Sequence, residues 1–233
     1  MLRFTNFEKI DRKIMSKINI SEKIKSFKEE IPDDVVLCAI SKTKPVSDLM
    51  EAYDAGQRVF GENKIQEMES KWQEMPKDID WHMVGHVQRN KVKYMAPFVS
   101  LVHAVDSPRL LKELNKEAKK NNRTINCLLQ IKIADEDSKF GMAEMDAIAL
   151  LDSETFKNYK NVAVKGLMGM ATFTDDVSQV EKEFDRLKTF YNKYEAAYNF
   201  SVLSMGMSGD YKLAIKNGST MIRVGSSIFG ERN

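Results

Sequence analysis

A primary amine stands where a short apolar run ends, at Lys42 in "CAISKTKP", and a second, Lys44, follows two residues later. An amine whose pKa is lowered by burial or by a neighbouring cation becomes a nucleophile that can condense with a carbonyl compound. If the extended geometry persists, the two lysines point the same way, and their repulsion favours a neutral amine. The bland alternative is a solvated strand end. Two other stretches have the composition of anion sites. "SMGMSGD" (204–210) joins two glycines and two serines to a helix start, where backbone N–H groups bind phosphate well. An ordinary tight turn with a serine cap has the same composition. "RVGSSIFG" (223–230) sets Arg223 two residues before Gly225, which allows close backbone approach to a ligand, and Ser226 and Ser227 follow.

A fourth region joins "FGENKIQE" to "HMVGHVQRNK". His82 and His86 are four apart, but Gly85 lies between them at a strand–loop junction, so they lack the helical spacing of a zinc pair. No metal is therefore expected. The sequence has no G-x-x-x-x-G-K-[ST] loop and no nucleophile elbow. The methionines of "GLMGMAT" (166–172) read as soft core packing.

The elements that must position these groups alternate along the chain. Strands are expected at 35–41, 57–63, 79–85, 99–106, 124–133, 162–170, 200–206 and 220–226. Helices are expected at 46–56, 64–75, 87–96, 107–122, 143–153, 178–198 and 210–218, leaving a short tail after the eighth strand. In the fourth of these helices Ser107 can cap and Pro108 can occupy the first turn. Eight strands with a helix after each of the first seven imply parallel βαβ units and a closed α/β architecture, a (β/α)8 TIM barrel, with a doubly wound open sheet as the rival.

Barrel sites gather at the C-terminal strand ends. Those ends carry Lys42 and Lys44; Glu62 and Asn63; His86, Gln88, Arg89 and Asn90; Asp106; Lys139; Thr172; Ser204, Ser208 and Asp210; and Arg223, Ser226 and Ser227. The two anion-like stretches are the loops after strands seven and eight, where barrels commonly bind phosphate. Strands one and eight are neighbours in a closed barrel, so a ligand with both a carbonyl and a phosphate fits. Pyridoxal 5'-phosphate and a phosphorylated sugar aldehyde both qualify.

The 233 residues are 42% hydrophobic, enough for a substantial core, and are read as one domain, 1–233. An amphipathic N-terminal helical segment is expected over 1–30, with apolar positions at Ile10, Ile14, Ile18 and Ile24. With 36 basic and 34 acidic residues the net charge is +2, which gives no reason to expect nucleic acid or an anionic membrane. Cys38 and Cys127 lie in apolar runs without a close partner and read as buried thiols of a reducing compartment. No apolar stretch is long enough to span a bilayer, and the start is too charged for a signal peptide. A cytoplasmic location is expected.

Seven ordered motifs between Val35 and Gly230 ("ISKTKP", "FGENKIQE", "WHMVGHVQRNK", "SKFGM", "GLMGMAT", "SMGMSGD" and "IRVGSSIFG") resemble the YggS/PROSC family of pyridoxal-phosphate homeostasis proteins. The resemblance implies a fold-type III pyridoxal-phosphate barrel, similar to the N-terminal domain of alanine racemase. It implies that Lys42 forms the internal aldimine, that Ser208 binds phosphate, that Arg223 faces the pyridine nitrogen, and that the Gly225 and Ser226 amides hold the phosphate. Asn63 and Met205 match positions around the ring. His86 matches a family segment without an assigned role, and Lys44 is a nearby cation that could tune release.

The resemblance further implies a non-catalytic carrier in vitamin B6 homeostasis, with apo forms of pyridoxal-phosphate enzymes as recipients. A monomer is expected, with a dimer as the alternative. The rival is a pyridoxal-phosphate-dependent amino-acid racemase or decarboxylase, for which Tyr53, Tyr94 and Tyr211 are nominal acid–base candidates. An aldolase-like enzyme using Lys42 without a cofactor, or a non-catalytic protein partner, also stays open.

Overall fold

Short apolar strands satisfy their backbone groups by pairing, and helical crossovers oblige neighbouring strands to run parallel. The computed structural model describes residues 19–135 and 140–231. Its strands are β1 (Val36–Ile40), β2 (Val59–Glu62), β3 (Asp80–Met83), β4 (Leu101–Val105), β5 (Ile125–Gln130), β6 (Val162–Met168), β7 (Val202–Met207) and β8 (Met221–Val224). They close into one barrel in chain order. Four residue pairs, from Val36 with Met221 to Ala39 with Val224, join β1 to β8 in parallel. Closure abolishes sheet edges and rules out the open-sheet rival.

Helices α1 (Ile20–Glu30), α2 (Val46–Asp54), α3 (Ile65–Glu74), α4 (Val92–Met95), α5 (Pro108–Lys120), α6 (Glu144–Asp152), α7 (Glu154–Lys157), α8 (Val177–Tyr198), α9 (Tyr211–Lys216) and α10 (Ser226–Phe229) occupy the connections and ends. As expected, Ser107 caps α5 by accepting from the Leu110 N–H, with Pro108 in its first turn. Of the N-terminal segment, α1 buries Ile20, Ile24 and Phe27. Ile10, Ile14, Ile18 and Lys139 lie outside the described residues.

Three local expectations change. Residues 87–96 are not one helix: Arg89–Lys91 form a 3-10 turn and α4 follows. That polar turn has no buried residue, and it separates buried Val87 from buried Val92 and Met95 of α4. Ser153 ends α6 and caps the further turn α7 by accepting from the Phe156 N–H. The tail after β8 is helical over α10 because Ile228 and Phe229 have a core to enter.

Side chains alternate across each strand. Leu37 and Ala39 join the large cluster between barrel and helices, whereas Cys38, Leu101, Ala104, Leu128, Met168 and Met221 form a separate small cluster inside the barrel. Burial pushes the Cys38 thiol up to about 12 and raises the Cys127 thiol as well. Both are free and buried, as expected.

Candidate functional site

β1 ends at Ile40, and the chain turns at once. The Ser41 N–H donates to the Gly61 carbonyl at 3.0 Å, and the Lys44 N–H closes a turn on the Ser41 carbonyl at 3.1 Å. Lys42 and Thr43 are the central residues, and Thr43 has φ +66°. The extended geometry that would align Lys42 with Lys44 therefore does not persist. Lys42 is half-buried, and the Lys44 ammonium donates to the Glu231 carbonyl at 2.9 Å.

The loops after β7 and β8 meet each other beside that strand end. The Gly225 N–H donates to Ser208 Oγ at 3.2 Å. A Cβ on Gly225 would lie 3.2 Å from the Ile40 carbonyl oxygen, tighter than ordinary packing. Gly225 thus lets the end of β1 and the start of α10 approach each other. Ser226 opens α10, and the first amides of a helix have no intrahelical acceptor.

Asn63 follows β2. Its Oδ1 is buried and has no hydrogen-bond partner. A Cβ on Gly85 would fall 2.6 Å from the Asn63 carbonyl oxygen and 2.8 Å from its Cβ, so Gly85 makes room for Asn63. Met205 is not brought into this group by its side chain. Strand alternation turns Ser204 into the barrel and packs Met205, fully buried, into the cluster behind the sheet. His86 is half-exposed. Its Nδ1 lies 3.1 Å from Asp106 Oδ2, and its ring stacks on Phe140 at 4.9 Å.

Below the strand ends runs a buried polar chain. Arg223 donates to Ser204 Oγ at 2.7 Å and to the Gly169 carbonyl at 3.0 Å. Ser204 Oγ lies 3.2 Å from His103 Nδ1, and His103 Nε2 lies 3.1 Å from His82 Nδ1. Burial lowers the Arg223 pKa to about 10, so the guanidinium stays charged at neutral pH. Burial lowers His82 to about 3 and holds His103 well below its ordinary value, helped by His82 and Arg223. Arg223 was legible in the sequence; its partnership with His103 and His82 was not. The one available signal is a histidine at an inward position of an otherwise apolar strand.

Two neutral buried histidines give stability a defined pH dependence. Each is neutral in the fold and protonates near 6.5 once exposed, so its contribution is complete above that pH and falls away toward the folded value. One such histidine costs about 2 kcal/mol by pH ~5. Glu62, raised by burial, has the opposite sign and offsets part of the loss. Urea unfolding at pH ~7.5 and ~5 should show a lower midpoint in acid, and His82→Asn should flatten the difference. An unchanged midpoint in the parent protein contradicts a neutral pair.

The nominal acid–base tyrosines are engaged elsewhere. The Tyr53 hydroxyl donates to Asp78, at the end of the barrel where β3 begins, and the Tyr211 hydroxyl donates to Glu30 of α1. Tyr94 is exposed. Among the described residues no group of three or more His, Cys, Asp or Glu could hold a metal ion, and no helix is long and apolar enough to cross a membrane.

The family model for the alanine racemase N-terminal domain matches residues 16–233. A pyridoxal phosphate homeostasis protein of Vibrio alginolyticus is 38% identical over 208 residues, spanning 87% of this chain and 88% of that protein. The Escherichia coli K12 protein of the same name is 37% identical over 209 residues, with 87% and 88% covered. Among solved structures, PipY of Synechococcus elongatus with PLP bound superposes with a TM-score of 0.83 at 33% identity, covering 91% of this chain and all of that one. A Clostridium difficile alanine racemase shares the fold at a TM-score of 0.76 and 12% identity, with 93% of this chain and 58% of that one covered.

Proposed function

We propose, since this chain belongs to the pyridoxal phosphate homeostasis family, that it binds pyridoxal 5'-phosphate at Lys42 and serves to hold and hand on that cofactor within the cell. The observation that carries the reading is the 3.2 Å bond between the Gly225 N–H and Ser208 Oγ, which joins two donor-rich loops beside the strand end that bears Lys42.

The residues present fit the group. Pyridoxal phosphate supplies an aldehyde that condenses reversibly with a primary amine. Lys42 provides the amine. Ser208 and the Ser226 amide, with the Gly225 amide once a phosphate oxygen replaces Ser208 Oγ as its acceptor, provide neutral donors for a phosphate, the type of donor set that binds anions at turns and helix starts. The buried Asn63 Oδ1 is an acceptor without a hydrogen-bond partner, and Gly85, by lacking a side chain, leaves room for the Asn63 backbone and Cβ beside it. Met205 supports Ser204 and the β7 exit from behind, inside the outer core.

Arg223 offers N–H donors and no acceptor. It can therefore meet only an acceptor, and it disfavours protonation of any ring nitrogen that faces it. A ring kept unprotonated is a weaker electron sink. This favours holding over turnover, and the engagement of Tyr53 and Tyr211 away from Lys42 points the same way. The protein is accordingly a carrier rather than a racemase or decarboxylase, its recipients being apo-enzymes that need the same cofactor. The two buried free thiols support a cytoplasmic setting.

The test is a titration of the cofactor-stripped protein with pyridoxal phosphate. A visible absorption band should develop stoichiometrically, and no amino acid should exchange its α-proton. Ser208→Ala removes a donor to a charged group, a loss of about 1.5–3 kcal/mol, or roughly ten- to hundredfold in affinity. Unchanged affinity in Ser208→Ala counts against the phosphate assignment.

A further inference from the structure

Glu62, Glu67 and Lys71 form a charged cluster behind the turn that carries Lys42. Lys71 is 5% exposed and Glu62 is fully buried. Lys71 Nζ donates to Glu62 Oε1 and Glu67 Oε1, each at 2.7 Å, and to the Ser41 carbonyl at 2.8 Å. Glu62 Oε1 also accepts from the Ser41 hydroxyl at 2.7 Å. Glu67 Oε1 accepts from the Thr43 N–H at 2.5 Å. The cluster therefore grips the residues on both sides of Lys42.

Stability alone does not explain it. Buried ion clusters carry a large desolvation cost, and apolar residues of similar volume are often as stabilising or more so. The turn supplies another explanation. Thr43 is β-branched and has φ +66°, a conformation such residues rarely adopt. In a four-residue turn a positive φ at the third position favours glycine or asparagine. A strained residue persists only where its surroundings over-determine it.

We propose that Glu62, Glu67 and Lys71 are positioning residues that hold the Ser41–Lys44 turn in its strained form and thereby aim the Lys42 amine into the site. This rests on the reading that Lys42 receives pyridoxal phosphate. The ligand meets Lys42; the cluster acts only through the backbone of the turn. Lys71, by its charge, also opposes the rise that burial imposes on the Glu62 carboxyl.

The test uses the charge-neutral double variant Glu62→Gln, Lys71→Met in the full chain. Pyridoxal-phosphate affinity should fall on the order of tenfold, the factor that one strained residue's free energy represents. Amide hydrogen exchange at Thr43 in the cofactor-stripped protein should speed up, with far-ultraviolet circular dichroism unchanged. Adding Thr43→Gly should then restore most of the affinity, because glycine adopts positive φ without strain. Mere loss of stability would not be rescued by a glycine in one turn. Wild-type affinity in the double variant, or no rescue by Thr43→Gly, overturns the proposal. Should the double variant not fold, Glu67→Met, which removes the acceptor of the Thr43 N–H together with the outer ion pair to Lys71, must still weaken binding and speed exchange; no change in either overturns it. If wild-type protein takes up no pyridoxal phosphate, the cofactor reading fails, while Thr43 exchange in the double variant still decides the clamp.

Discussion

Lys42→Ala is expected to abolish the visible absorption band formed with pyridoxal phosphate and to leave no covalent attachment after borohydride reduction. The loss should be complete rather than graded, because alanine offers no amine and Ser208, Gly225 and Ser226 can supply only non-covalent donors. Lys42 is half-buried in a turn outside the core clusters, so the free energy of unfolding should move by no more than about 1 kcal/mol. Lys44 provides the control. Its ammonium is directed to the Glu231 carbonyl, so Lys44→Ala should keep the band and the attachment. Peptide mapping after reduction checks both. A band that survives in Lys42→Ala, with attachment at Lys44, would assign the bond to the wrong lysine here.

Gly166→Ala is expected to be the most damaging single methyl group in the barrel. Gly166 lies in β6 just past a register shift: Cys127 pairs with Val164, but Leu128 pairs with Gly166. Lys165 is the extra residue of that bulge, and Gly166 has φ +152°. A Cβ there would sit 1.8 Å from the Val202 carbonyl oxygen of β7. The backbone conformation and the collision both oppose any side chain, and neither strand can retreat because the sheet is closed. A destabilisation of about 4 kcal/mol or more follows, beyond ordinary overpacking. Gly209→Ala is the matched control: nothing lies within 4 Å of the Cβ it would add. Urea unfolding of the two variants measures the contrast, and equal midpoints would refute it.

Much of the fold is legible because local periodicity carries it. Apolar runs such as "VVLCAIS" and "VAVKGLMGM" announce strands, and the polar-apolar helices between them leave room only for parallel pairing. The count of eight then points to closure. The phosphate loops are legible for a related reason: glycines and serines at strand ends advertise exposed backbone donors. Ser208 and Gly225 are correctly placed together by their loops' adjacency in a barrel. The paired direction of Lys42 and Lys44 is not, because it depends on a positive φ at Thr43. A threonine gives no sign of that conformation.

The sequence by itself determined the strand count, the end of the barrel that carries chemistry, and the residue types able to meet a carbonyl and a phosphate. These follow from short-range pattern and from the chemistry of single side chains. Only the tertiary structure decided what surrounds them. His82, His103, Ser204 and Arg223 come from β3, β4, β7 and β8, and His103 meets Ser204 across 101 residues of chain. No periodicity links such positions; barrel closure and strand register bring them together. The cluster of Glu62, Glu67 and Lys71 is closer in sequence, yet its role depends on a strained backbone angle twenty residues or so away, which the long-range bonds to Ser41 and Thr43 hold in place.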